Sequence, residues 1–510
     1  MRKKLINRLI ITILTAALFL MGIVPSCVNE SVYAAEKIKT VIGDGGKTEL
    51  SPTVVIEEGS EEKPGLNATS AILIDAGSGV ILYEKDAYDK RDPASITKIL
   101  NAMVVLDNLK LSDTYVIPDG LETVGHVVNL KKGEELTIEQ LLYAMLTYSG
   151  NDAAEALAYA AGGDMKTFCS MMNKKARSCG AENTNFTNAN GLNNYGQEYH
   201  RTTAYDLAII SREAMKSKTF RKIVSTKRYT IPATNKSKER KLRNTNALLY
   251  EKPFKMDGKK FDCYYKGTTG IKTGMTSVAG ECFVGSAKRG NTELIAVVLN
   301  AATAQDKFDD AIDLLDYGFA NYKTYTAAKS SDVIYELKVK KGSLAGVDLG
   351  IAEDLDITVS RDYEGTKNIT TGIVFSQKYT DSENAKTNAE KIKWIKAPVK
   401  KGTVFGHLVA YNDKDEAIAV QELIAMEEVE KGGILSNIGI ADEELPMFFI
   451  VLSMAIILIL ILRITRNLRK DKRRRRRRAK RQRTVSRREA QEQRSDTVYR
   501  QNKANVRYRR

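Results

Sequence analysis

Residues 93–104 read Pro93-Ala94-Ser95-Ile96-Thr97-Lys98-Ile99-Leu100-Asn101-Ala102-Met103-Val104. Apolar side chains at Ile96, Ile99, Leu100, Met103 and Val104 recur at helical spacing, which predicts a helix beginning near Ser95. Lys98 then lies one turn from Ser95 on the same face. A serine hydroxyl is a weak nucleophile until a base takes its proton. A lysine can be that base only if burial or a nearby cation leaves it partly neutral. The helix N-terminus adds a positive field that favours negative charge developing at Ser95. By itself the pair also fits an N-cap serine beside a solvated lysine. Ser60-Glu61-Glu62-Lys63 repeats the spacing in a charged stretch without apolar periodicity, so the context carries the reading.

Upstream, Ala71-Ile72-Leu73-Ile74 and Val80-Ile81-Leu82-Tyr83 flank Gly77-Ser78-Gly79 as a β-hairpin. Downstream, Thr137 with Gln140 three residues on forms a capping-box pattern before Leu141, Leu142, Met145 and Leu146. An Ala-rich helix over 152–161 follows, ended by Gly162-Gly163. Cys282-Phe283-Val284-Gly285-Ser286 and Leu294-Ile295-Ala296-Val297-Val298-Leu299, joined by Arg289-Gly290-Asn291, make a second hairpin. An amphipathic helix over 306–322 closes the domain with Phe308, Ile312, Leu315 and Phe319 on one face. Strands first, helices in the middle and strands with a helix last predict an α+β fold, one antiparallel sheet packed with helices.

Two further motifs fall at functional places in that order. Ser149-Gly150-Asn151 sits in the turn between two helices, where a hydroxyl and an amide can face one cavity; alone it also fits an ordinary turn. Lys272-Thr273-Gly274 lies on the strand before the second hairpin. It sets a cation and a hydroxyl on a sheet edge, with Gly274 allowing close backbone approach.

The 510 residues are enough for several domains. Residues 1–35 read as an export signal: Arg2, Lys3, Lys4 and Arg8, an apolar run over 9–24, then Val32-Tyr33-Ala34-Ala35 for cleavage. Cys27 is an alternative lipid-attachment site. A flexible leader spans 36–66, the first domain 67–325, a β-rich domain 326–428 and a Gly-containing linker 429–444. The apolar run over 445–464 is a transmembrane helix, followed by a polybasic tail over 465–510 that includes Arg473 through Arg478. Basic flanks stay cytoplasmic, which puts the folded domains outside.

From 463 onward there are 22 Lys and Arg against 4 Asp and Glu, a surplus larger than the whole-chain net of +16. The folded body is therefore slightly negative, which excludes a body built to hold nucleic acid. The tail reads as a solvated, disordered segment attracted to anionic lipid, with no specific nucleic-acid partner. Export permits disulfides, and the pairs Cys169/Cys179 and Cys263/Cys282 are open. The scattered His126, His200 and His407 support neither a zinc site nor a Ser-His-Asp triad.

Taken together, the three motifs resemble the penicillin-binding protein and serine β-lactamase superfamily. The closer resemblance is to the low-molecular-mass D-Ala-D-Ala carboxypeptidases. It is carried by Pro93 to Lys98, Ser149-Gly150-Asn151-Asp152, Gly270-Ile271-Lys272-Thr273-Gly274 and Thr203-Ala204-Tyr205-Asp206-Leu207-Ala208, across 67–325. Ala397-Pro398-Val399-Lys400-Lys401-Gly402 extends it more weakly. The resemblance implies a β-lactamase/transpeptidase-like catalytic domain that removes the terminal D-Ala from peptidoglycan stem peptides through an acyl-enzyme. It implies β-lactams as inhibitors and no cofactor or metal. It makes Ser95 the nucleophile, Lys98 its base and Ser149 a proton relay. Asn151 would orient the peptide, and Lys272 and Thr273 would hold the terminal carboxylate beside Gly274. The backbone N–H groups of Ser95 and Met275 would form the oxyanion hole.

Two departures stand out. Met275 replaces the His, polar or aromatic residue of many relatives, and Lys307 stands where many carry an arginine, which loses a bidentate carboxylate grip. Two other readings are open. A class A β-lactamase would need a deacylating Glu-x-x-Leu-Asn after Ser149-Gly150-Asn151, and none is convincing. A β-lactam sensor would need a signalling domain, and none is evident.

Overall fold

The computed structural model describes residues 63–507 apart from Glu122, 193–199, Asp257, 377–378 and 380–393. The export signal, Cys27 and most of the leader lie outside the described residues. The chain divides into two compact units, one of 1–334, 350–391 and 404–424, the other of 335–349, 392–403 and 425–510.

The first unit is built on five antiparallel strands: β1 (Ser70–Asp75), β2 (Ile81–Lys85), β3 (Thr268–Thr276), β4 (Gly280–Arg289) and β5 (Thr292–Ala301), in the order β2-β1-β5-β4-β3. Both expected hairpins form, and β1 pairs with β5 from Ser70 opposite Leu299 to Asp75 opposite Leu294. Successive strand residues point to opposite faces. Ile72 and Ile74, with Ile295, Val297 and Leu299, enter one core; Ala71 and Leu73, with Leu294, Ala296 and Val298, enter another. Both faces are buried, which is why these strands read as continuous apolar runs and not as alternation.

One face carries α1 (Lys98–Asn108), α2 (Ile138–Leu146), α3 (Asn151–Gly162), α4 (Met165–Ser178), α5 (Ala204–Lys216) and α6 (Lys218–Val224). The other carries α7 (Asp306–Asn321), with Phe308 and Leu315 fully buried and Phe319 nearly so. The side chain of Asp310 on α7 accepts from the backbone of Asn67 at 3.0 Å and Ala68 at 2.7 Å, which ties the start of the domain to its last helix. The helix expected from Ser95 opens with a tight 3-10 turn, Ala94–Thr97, before α1. Thr137 and Gln140 cap α2 reciprocally, the hydroxyl accepting from the N–H of Gln140 and the Gln140 side chain from that of Thr137.

Within the same unit, Tyr322–Ala328 pairs with Leu355–Ser360, and Thr370–Phe375 with Val404–Tyr411. The first of these pairs bonds to the turn between β1 and β2: Thr324 donates to Asp75 at 2.7 Å, and the hydroxyls of Ser78 and Thr358 lie 2.7 Å apart. The β-rich stretch is shared between the two compact units. In the second unit, Tyr335–Lys340 pairs with the strand beginning at Gly346 and, in parallel, with Ile395–Lys396.

Three expectations change. Part of the stretch read as a linker is structured, with bridges from Val399 to Val429 and Gly342 to Lys431 and two 3-10 turns over Ile434–Ile438 and Asp442–Glu444. The tail read as disordered is helical: α8 (Leu445–Arg507) runs through the apolar segment and on through the basic one. Past Pro446 this helix has neither Gly nor Pro, and Arg, Lys, Gln, Glu and Ala are strong helix formers. The open disulfide pairings are not made, since Cys169, Cys179, Cys263 and Cys282 are all free. Cys169 and Cys179 stand ten positions apart along α4 and its cap, about 15 Å of rise, beyond the reach of a disulfide.

The cap of α2 sets the entry to the helix pair that carries Ser149. Thr137→Ala should cost about 1 kcal/mol of stability, read as a lower denaturant midpoint at unchanged slope.

Candidate active site

The 3-10 turn before α1 brings Ser95 to the cleft. Ala94 holds a positive φ of 47°, and the Thr97 hydroxyl donates back to the Ala94 carbonyl at 2.9 Å. His200 braces the turn from behind. Its Nδ1 accepts from the backbone of Thr187 at 3.0 Å, so Nε2 carries the hydrogen and donates to Thr97 Oγ1 at 2.9 Å. Burial, then the charge of Arg201, pushes His200 down to about 3, so it is a neutral brace at physiological pH. Gly191, at φ +89°, packs so closely that a Cβ there would stand 1.8 Å from the Ala94 carbonyl oxygen.

Lys98 is wholly buried. Its Nζ donates to Ser95 Oγ at 2.7 Å, Asn151 Oδ1 at 2.8 Å and the Asn190 carbonyl at 2.7 Å. Desolvation lowers its pKa to about 7, against the opposing pull of Glu155 and Asp152. A large fraction of the amine is then neutral near pH 7, beside the hydroxyl it would deprotonate.

The turn between α2 and α3 supplies Ser149 and Asn151. Ser149 sits at φ 67°, and the N–H of Gly150 bonds back to Ala144 at 3.0 Å. Asn151 is pinned at its backbone by the His126 carbonyl at 2.7 Å, while its amide donates to Val124 at 2.8 Å. These bonds orient Oδ1 toward Lys98.

Strand β3, on the sheet edge, closes the site. Lys272, 1% exposed, donates to Ser149 Oγ at 2.9 Å and to the Thr273 carbonyl at 2.8 Å. Its pKa lies well below the usual lysine range, first from desolvation, then from repulsion by Lys98 and Lys307. The hydroxyls of Thr273 and Thr245 lie 2.6 Å apart. Gly274 lets β3 approach the Ser95 backbone, since a Cβ would be 3.0 Å from Ser95 N. Met275 leaves its side chain 60% exposed at the mouth. Lys307, on α7, is buried and ion-paired with Glu281. The cleft, about 430 Å³, is lined by Ser95, Ser149, Thr245, Thr273, Gly274 and Met275 among others.

Of the eight residues singled out in the sequence, Ser95, Ser149, Thr273, Gly274 and Met275 line the cleft, and Lys98, Asn151 and Lys272 stand behind it in one hydrogen-bonded group with Ser95 and Ser149. Reasoning from sequence missed Asn190, which contributes a backbone carbonyl, and Thr245, Glu155 and Glu281, which lie outside any short motif. Among the described residues no group of three His, Cys, Asp or Glu side chains is gathered to hold a metal ion.

Residues 57–303 match the family described as D-alanyl-D-alanine carboxypeptidase, peptidase family S11, and residues 322–431 match the penicillin-binding protein 5 C-terminal domain. D-alanyl-D-alanine carboxypeptidase DacF of Bacillus subtilis is 31% identical over 375 residues, which cover 72% of this chain and 87% of that protein. DacC of Escherichia coli is 31% identical over 409 residues, 76% of this chain and 91% of the relative. The crystal structure of penicillin-binding protein 5 from Haemophilus influenzae superposes with a TM-score of 0.53 at 27% identity, over 73% of this chain and all of that one. With a serine and two buried lysines converging in one cleft, and with relatives matched over most of their length, the chain belongs to the serine-type D-alanyl-D-alanine carboxypeptidase family.

Proposed function

We propose that Ser95 is the nucleophile and Lys98 its general base in the removal of the terminal D-Ala from peptidoglycan stem peptides. The observation that carries this is the 2.7 Å contact between the Ser95 hydroxyl and a buried Lys98 amine with a pKa near 7. Ser95 Oγ attacks the penultimate D-Ala carbonyl carbon as its proton passes to neutral Lys98. The N–H groups of Ser95 and Met275 hold the oxyanion. Collapse of the intermediate breaks the peptide C–N bond. The leaving amine takes the proton that Lys98 accepted, relayed by Ser149, whose hydroxyl Lys272 holds in place; Lys98 is neutral again as D-Ala departs. Water then attacks the ester carbonyl as neutral Lys98 takes one of its protons; the Ser95 ester bond breaks and Lys98 passes that proton to Ser95 Oγ, which restores the free enzyme. Asn151 orients the peptide. Lys272 and Thr273 receive the terminal carboxylate beside Gly274. That carboxylate supplies the counter-charge that burial denies Lys272, and so raises its hold on a proton. A β-lactam carbonyl enters the same path and leaves a lasting ester on Ser95.

The full-length chain in detergent should release D-Ala from a stem pentapeptide. Ser95→Ala and Lys98→Ala should each lower kcat/KM at least about a hundredfold. Rapid nitrocefin turnover without peptide hydrolysis would instead mark a β-lactamase; lasting acylation without hydrolysis would mark a sensor. Only the neutral amine accepts the proton, so the acylation rate should rise with pH through about 7, as checked with a fluorescent penicillin. Gly191→Ala should displace the Ala94 carbonyl and lower labelling at least about tenfold, with the unfolding transition still cooperative.

The apolar part of α8 is long enough to cross a membrane and its side chains are exposed, as befits an anchor. We place the catalytic domain outside the cell and the basic tail inside, near anionic lipid, because Lys and Arg flanks stay cytoplasmic. A protease added to wall-stripped cells should then remove the catalytic domain and spare an epitope at the C-terminus. Cleavage of that epitope with the catalytic domain protected would reverse the orientation.

A further inference from the structure

Lys98 Nζ has three oxygen acceptors, and two of them are held by one carboxylate. Glu155 lies one turn beyond Asn151 on α3. Its Oε1 accepts from Asn190 Nδ2 at 2.8 Å, and Asn190 is the residue whose carbonyl receives Lys98. Its Oε2 accepts from Thr123 Oγ1 at 2.6 Å, and the neighbouring Val124 carbonyl receives the amide that turns Asn151 Oδ1 onto Lys98. Asp152, the other acid close to Lys98, is engaged differently: its oxygens accept from the backbone of Val128, Leu130 and Ala153 at 3.0, 3.0 and 2.9 Å. We propose that Glu155 is a positioning residue for the acylation step, fixing the hydrogen-bond cage of Lys98 from both sides and supplying the negative charge that steadies its ammonium form. This rests on Lys98 acting as the base of Ser95.

The charged groups around Lys98 act in both directions. Glu155 and Asp152 on α3 favour the ammonium. Lys272 on β3 repels it, with Lys307 on α7 behind Lys272. His200, packed against the turn before α1, is neutral. Removing the charge of Glu155 therefore leaves burial and the lysines less opposed. The amine then loses its proton more readily, and the rise of acylation with pH moves to lower pH.

The test is the pH dependence of acylation by a fluorescent penicillin, with the full-length chain in detergent. Glu155→Gln keeps a carbonyl for Asn190 and an amide for Thr123 but no charge. It should move the acid limb down by about half a pH unit or more at unchanged thermal midpoint. Glu155→Ala, which loses both ties, should also lower the plateau rate several-fold. An acid limb unmoved in Glu155→Gln overturns the inference whatever the alanine variant does. Lys98→Ala run alongside separates the two readings: wild-type acylation in that variant refutes the base assignment itself, whereas a dead Lys98→Ala with an unmoved Glu155→Gln limb refutes only the role of Glu155.

Discussion

Burial of lysine is the constraint on which the site depends. Lys98, Lys272 and Lys307 are each at most 2% exposed; Lys307 lines the cleft, and Lys98 and Lys272 lie behind it, bonded to its lining hydroxyls Ser95 and Ser149. Taking an ammonium out of water is costly, so a buried lysine surrenders its proton readily or finds a counter-charge. The chain uses both outcomes. Lys307 is met directly by Glu281. Lys98 and Lys272 donate to neutral oxygens, and their proton affinities fall. The same desolvation underlies both proposed roles, Lys98 as a base and Lys272 as the partner of an incoming carboxylate.

Such an arrangement needs a scaffold that cannot relax to let water in. The sheet provides it by being buried on both faces, with α1 to α6 on one side and α7 on the other. Each contributor arrives from a different part of this sandwich: Ser95 from the turn ahead of α1, Ser149 from the turn ahead of α3, Lys272 from the sheet edge. Close approaches at Gly191 and Gly274 then press the Ser95 turn between the loop near Asn190 and strand β3. At Gly191 a single methyl group would collide with the Ala94 carbonyl, and at Gly274 it would crowd the Ser95 backbone.

The legible parts of the fold and site were those encoded locally. The hairpin at Gly77-Ser78-Gly79, the Thr137–Gln140 cap and the Ser95–Lys98 spacing each depend on residues within one or two turns of each other. Their structures follow from sequence because the physics that sets them is equally short-ranged. What escaped was long-range or carried by backbone. Asn190 enters through its carbonyl, which any residue type has. Thr245 meets Thr273 and Glu155 meets Thr123 only after the chain folds. The tail departs from expectation for the opposite reason: a run of like charge suggests repulsion and disorder, yet its residue types favour helix and nothing interrupts α8.

The substitution at Lys307 takes on a different meaning once its partner is known. From sequence, a lysine in place of arginine suggests a weaker carboxylate grip, because one ammonium replaces a two-pronged guanidinium. In the fold that ammonium is engaged by Glu281, at the start of β4 and opposite Met275 on β3. A paired cation presents little net charge to a ligand, so in the proposed mechanism the attraction for a terminal carboxylate falls to Lys272 and to the hydroxyls of Thr273 and Thr245. Lys307 still acts at a distance, since its charge is among the influences that lower the proton affinity of Lys272. Its contribution to this cleft is thus through the charge state of a neighbour, a role that depends on burial and position and that a lysine fills without the planar fork of arginine.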